Sequence, residues 1–241
     1  MRWPALLVVL LLSACVEQAG VPPSSAQVES VGMRALQSRQ PGAIEMLERW
    51  AHGGSAVAQR ELGLVRAQTP ATHTDAVNWL DRAARAGDAR AQFHLAKAFH
   101  EARLGLKQDH VQAWFWFEAA ARQNDREASF MLARLARYGQ GVAPNLELAV
   151  HWLQESSRQG NPQAMFLLSN AYAAGDGVRA DATQARYWLT MAAEGDYGVA
   201  IQALAVELDG AGGADSDLSK ESRDLIKEAT EHRLMRWNGY Q

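Results

Sequence analysis

The chain has 241 residues, a net charge of −3 and a hydrophobic content of 48%. That content can bury a continuous core, and the near-neutral balance offers no electrostatic footprint for nucleic acid or an anionic surface. Cys15 is the only cysteine, so no disulfide forms within the chain.

The first segment reads as export machinery: Arg2, an apolar run from Ala5 to Leu12, then small residues. The run is too short to span a bilayer, which needs about 20 apolar residues. Leu12-Ser13-Ala14-Cys15 resembles a bacterial lipobox, which implies a signal peptide over 1–14 and lipid attachment at Cys15. The alternative is an ordinary secretory signal with an incidental cysteine. By the same resemblance, Val16 in place of aspartate implies sorting to the outer membrane, with the chain facing the periplasm. Residues 15–30 are then expected to be the lipidated cysteine and a polar, proline-interrupted tether. Its length would allow a reach of roughly 45 Å.

Beyond that segment the chain keeps a beat. Trp79, Trp116, Trp152 and Trp188 are 37, 36 and 36 residues apart, and Ala91, Ala128, Ala164 and Ala200 keep the same spacing. A fixed period in this range marks stacked supersecondary units rather than one globular core. Ala43, Met46, Leu47, Ala51 and Gly54 match Ala76, Trp79, Leu80, Ala84 and Gly87. They predict N-terminal capping helices over 31–55, the first of them short and lying within 28–38.

One full unit is clearest from Ala164 to Gly195. Ala164, Leu168, Ala171 and Tyr172 share one face of a first helix. Gly175-Asp176-Gly177-Val178 interrupts it, since two glycines two apart supply the left-handed conformations that end a helix. Asp181 then caps a second helix carrying Ala185, Trp188, Leu189 and Ala192, and Gly195 closes the unit. The alanines permit close helix approach, and each tryptophan is expected to be buried as a wedge between hairpins. At the far end, Ala200 and Leu204 start another first helix, Gly210 to Gly213 make a turn, and 218–241 form a capping helix and tail.

Ala91-Gln92-Phe93-x-Leu95-Ala96, the Gly-x-Gly-Val turns at 139–142 and 175–178, and Ala76-x-x-Trp79-x-x-x-Ala83-Ala84 resemble SEL-one-like repeats, relatives of the tetratricopeptide class. The resemblance implies an all-α fold: a right-handed superhelical solenoid of antiparallel helix hairpins, with repeats over 56–217. The unit at 91–125 departs from the pattern, with Leu104-Gly105 in the turn and Asn124 for the closing glycine, and the last unit is one residue short before Gly195.

Reactive chemistry is sparse. His52, His73, His94, His100, His110, His151 and His232 show no one-turn pair with an acidic partner, so no metal site is expected. Asp215-Ser216-Asp217 lacks the glycine that a calcium loop needs. Three residues before Lys97, Lys107, Lys220 and Lys227 stand His94, Leu104, Asp217 and Asp224, so the serine–lysine motif of β-lactamases is missing. The chain is expected to be non-enzymatic, with no cofactor and no small-molecule substrate.

In tetratricopeptide-like stacks the first helices line the concave wall. Counting from the recurrent leucine, the outward ladder is Phe93, Phe130 and Phe166, then Lys97, Arg134 and Asn170, then His100, Arg137 and Ala173. Aromatics beside Arg and Lys compose a protein-binding face, and a peptide or acidic loop is the expected ligand. The phenylalanines are equally suited to packing on neighbouring helices. Trp114 and Phe115 either fill the gap left by the irregular turn or form an exposed patch, and filling is the favoured reading. The sequence therefore predicts a periplasmic scaffold or adaptor that binds a protein partner of the cell envelope, touching the membrane only through its anchor. An immunity or inhibitor module and, less well supported, a cell-wall or β-lactam hydrolase are the alternatives.

Overall fold

The computed structural model describes residues 22–212, with side chains through Glu207. Cys15, the expected export segment and the expected capping helix and tail at 218–241 lie outside the described residues. Within them eleven α-helices follow in order: α1 Ser25–Ser38, α2 Pro41–His52, α3 Ala56–Arg66, α4 His73–Arg85, α5 Ala89–His100, α6 His110–Ala121, α7 Arg126–Tyr138, α8 Leu146–Arg158, α9 Pro162–Ala174, α10 Ala182–Glu194 and α11 Gly198–Gly212. Each packs chiefly on its chain neighbours, and α1 also packs on α3. This is the contact pattern of a solenoid, and no strand occurs among the described residues.

Short polar residues start the helices. Asp88, Asp109, Asp125, Asn145, Asn161 and Asp181 each accept a hydrogen bond from a first-turn amide of α5 through α10, each contributing about 1 kcal/mol. Ser24 does the same for α1 as part of a capping box with Gln27. That box starts α1 at Ser25, inside the 15–30 segment expected to be a tether, and Val28 is fully buried. The helical cap therefore takes in the end of the expected tether. Its core contact is reinforced by Arg60, 3% exposed, which donates to Glu29 at 2.7 Å, Glu61 at 2.7 Å and Asp88 at 2.8 Å. A buried cation needs such partners to offset its lost hydration; here they tie α1, α3 and the start of α5 together.

The core is a chain of alanine- and leucine-rich clusters, one passing into the next. The tryptophans join them. Trp152 packs against the cluster of α4–α7 and that of α7–α9, and Trp188 against the latter and the cluster of α9–α11. Trp116 is buried, but Trp79, Trp152 and Trp188 are half-buried rather than buried. The exposed His151 and Tyr187 meet Trp152 and Trp188 edge to face. The indole N–H of Trp152 is buried without an acceptor, so packing alone holds that ring.

The irregular unit keeps the turn geometry with other residues. Gly139 and Gly141 have φ of 70° and 81°, and Ala102 and Leu104, 37 positions earlier, have φ of 54° and 56°. At the closing position Gly87, Asn124, Gly160 and Asp196 are all left-handed. Asp196, not Gly195, therefore closes the last complete unit, which is not short: a β-carbon at that position costs strain, and aspartate is among the residues that tolerate it. The glycines at 210–212 do not form the expected turn. Helix α11 runs on to Gly212, since a glycine within a helix costs only about 1 kcal/mol.

Candidate functional site

Helices α7 and α9 are the first helices of two successive hairpins, and between them runs a groove of about 490 Å³ with α8 as its floor. Helical periodicity puts Phe130, Arg134 and Arg137 along the α7 wall. Asn170 and Leu167 stand on the α9 wall, with Leu146, Val150 and Leu153 below. Tyr197 also lines the groove. The length from Phe130 to Arg137 along the helix is about 10 Å at 1.5 Å per residue. Volume and mixed lining match what ligand-holding clefts present: a largely apolar floor with a few converging polar groups.

The charges are asymmetric. Arg137 donates to Asp176 of the α9–α10 turn at 3.4 Å, a half-exposed pair across the groove mouth. Arg134 is exposed, and its recorded side-chain contact is the sulfur of Met131 at 3.9 Å. No carboxylate pairs with Arg134 among the described residues. Asp176 is the one carboxylate among the described residues lining the groove.

The structure thus brings together Phe130, Arg134, Arg137 and Asn170 of the predicted ladder. It places Phe93, Phe166 and Lys97 elsewhere. Phe93 packs on Phe117 at 5.7 Å between ring centroids, and Phe166 packs on Tyr197 at 5.5 Å, so both serve helix packing. Lys97 pairs with Glu101 at 3.8 Å and lines a cavity of about 100 Å³ between α3 and α5. Of the aromatic run on α6, Trp114 is half-buried against the core, while Phe115 is 57% exposed and does not fill the gap. Leu104 packs against the core there instead.

Sequence spacing missed one pair. The irregular turn folds His110 back on His100, bringing their Nδ1 atoms to 3.2 Å, so that one ring donates to the other. Burial holds the His100 pKa below the ordinary histidine value, and the charges of His110 and Arg134 add to that. The ten-residue separation gives no helical signal, and the turn between the two, left-handed at 102, 104 and 105, makes the encounter. Among the described residues no group of three or more His, Cys, Asp or Glu is placed to hold a metal ion, and no helix is long and apolar enough to cross a membrane.

The Sel1 repeat signature matches residues 56–88, 89–125, 126–161 and 162–197, more than half of the chain. The chain belongs to the Sel1 repeat family. Sel1 repeats suggest a protein-interaction scaffold. Among solved structures, the fold is similar to a protective antigen of uropathogenic Escherichia coli displaying an SLR fold, with 23% identity, a TM-score of 0.72, and coverage of 86% of this chain and 46% of that one. This chain therefore spans about half of that antigen. It is also similar to a Sel1 repeat protein from Oxalobacter formigenes, at 24% identity and a TM-score of 0.70, covering 86% and 88% of the two chains. An immunity protein from Pseudomonas aeruginosa matches at 14% identity and a TM-score of 0.51, over 89% and 88%. No curated protein matches by sequence.

Proposed function

We propose that this chain is a non-enzymatic, lipid-anchored scaffold of the cell envelope that holds a partner protein in the groove between α7 and α9. The observation that carries the reading is the convergence of Phe130, Arg134, Arg137 and Asn170 on one open cleft. Aromatic and arginine side chains around an apolar floor are the composition of interface hot spots. The lipobox-like Leu12-Ser13-Ala14-Cys15 supports anchoring at the outer membrane, on the periplasmic side. A second reading, an immunity protein occupying an effector enzyme, is favoured by the likeness to two Pseudomonas aeruginosa immunity proteins.

Purification of the full chain from detergent-solubilised envelopes tests the proposal. A specific protein should co-purify with the wild type and with Tyr187→Ala, which changes an exposed ring of α10. It should be lost with Ala174→Trp, which places a large ring at an exposed groove position. Retention by the plugged variant would remove the groove from the account. A captured protein that is itself a toxic enzyme selects the immunity reading; an envelope assembly component selects the scaffold. Palmitate labelling that survives Cys15→Ala would discard the anchor.

A further inference from the structure

We infer that the groove reads an acidic, extended segment of its partner: one carboxylate seated between Arg134 and Arg137, an adjacent apolar side chain on the groove's apolar lining, and Asp176 competing with that carboxylate for Arg137. This rests on the reading that the groove is where a partner docks, and it names the chemistry of what docks there.

Three observations carry it. Among the described residues no carboxylate pairs with Arg134, which stands one helical turn from Arg137 on the same wall. In a chain with net charge −3, this cleft carries two arginines against one carboxylate, and His100 lies close enough to feel the charge of Arg134. The cleft therefore complements an anionic ligand, and charge complementarity selects partners more than it adds bulk affinity.

Next, Asp176 already shows how a carboxylate meets this wall. It approaches Arg137 from the turn of the following hairpin at 3.4 Å, long for a charge-assisted bond. A half-exposed pair of that length is worth little and exchanges readily. An incoming carboxylate with better geometry can take the arginines over, and Asp176 then turns to solvent.

Last, the dimensions suit a short extended stretch. A groove about 10 Å long between Phe130 and Arg137 accommodates about three extended residues at roughly 3.3 Å each. Alternation along an extended chain puts neighbouring side chains on opposite sides. A carboxylate aimed at the α7 wall thus leaves the next side chain for Leu146, Val150 or Leu167. Because Arg137 and Asp176 stand at one end, the acidic residue belongs at that end of the segment.

The test is selection of displayed random dodecapeptides on the purified chain, followed by affinity measurement of the winners at low and physiological salt. Winners should carry Asp or Glu beside an apolar residue. Their affinity should fall tenfold or more with Arg134→Glu, about 1.4 kcal/mol or more. Asp176→Asn should tighten them roughly two- to fivefold by removing the competitor. All three variants change exposed or half-exposed groove positions, and melting curves check that each is folded. Winners that need the open groove, being lost with Ala174→Trp, but that are neutral or basic would overturn the acidic inference while leaving docking at this face intact. Winners indifferent to Ala174→Trp, or no groove-dependent winners, would overturn both.

Discussion

The junction between α3 and α5 and the junction between α7 and α9 are built from the same positions, two repeats apart, yet one is nearly closed and the other open. The closed one holds about 100 Å³ and the open one about 490 Å³. Leu64 stands where the open groove has Arg134, Ala67 where it has Arg137, His94 where it has Leu167, and Arg103 where it has Asp176. The helices and their packing are alike. What differs is these wall residues and what the turn throws into the cleft. Leu104, left-handed and half-buried, reaches into the α3–α5 junction, whereas its counterpart Gly177 lets the turn lie against the backbone of α8. A repeat thus fixes the frame, while the wall residues and the turn together set how much of the junction is filled.

The comparison breaks most severely at Gly177. A β-carbon there would sit 2.3 Å from the carbonyl oxygen of Leu146, at φ +70°. Importing the closed junction's residue, Gly177→Leu, should cost about 4 kcal/mol or more, since backbone must move and strain is added. Denaturant unfolding would show it, and a variant as stable as the wild type would mean that the two turns are interchangeable.

Histidine chemistry separates the junctions next. Burial first, then the charges of Arg90, Arg60, Lys97 and Arg103, lowers the His94 pKa from 6.5 to about 4. The unfolded chain therefore binds the proton first. The stability from this residue is complete above pH 6.5 and is lost as pH falls toward 4, by about 3 kcal/mol. His94→Leu, the residue of the open junction, should remove that share of the acid sensitivity. Equal slopes of stability against pH for the two proteins would contradict the assignment.

The smallest effect lies in the irregular turn. Ala102 is exposed and left-handed at φ 54°. Ala102→Gly, matching Gly139, should raise stability by about 1 kcal/mol, because the strain of a β-carbon in that region is relieved. A loss on calorimetry would show that the glycine's flexibility in the unfolded chain outweighs the strain.

The stack itself is written plainly in the sequence, because alanine, leucine and tryptophan recur where helices touch, and a period needs no tertiary knowledge. The ladder positions on α7 and α9 follow from the same counting. Whether a ladder residue lines a cleft does not. Phe93 and Phe166 are drawn into packing by Phe117 and Tyr197, which belong to other elements. Likewise the meeting of His100 with His110 depends on left-handed φ at Ala102 and Leu104, which no side-chain pattern announces. The extension of α1 to Ser25 was written in the Ser24–Gln27 capping box, but it was hidden by the neighbouring prolines.

Photo-crosslinking in intact cells tests the open groove most directly. A photoreactive side chain replacing Asn170, inside the cleft, should yield one dominant adduct with an envelope protein, while the same probe replacing Tyr187, on α10, should not. Adducts at Tyr187 with none at Asn170 would place the partner on the other face and contradict the account.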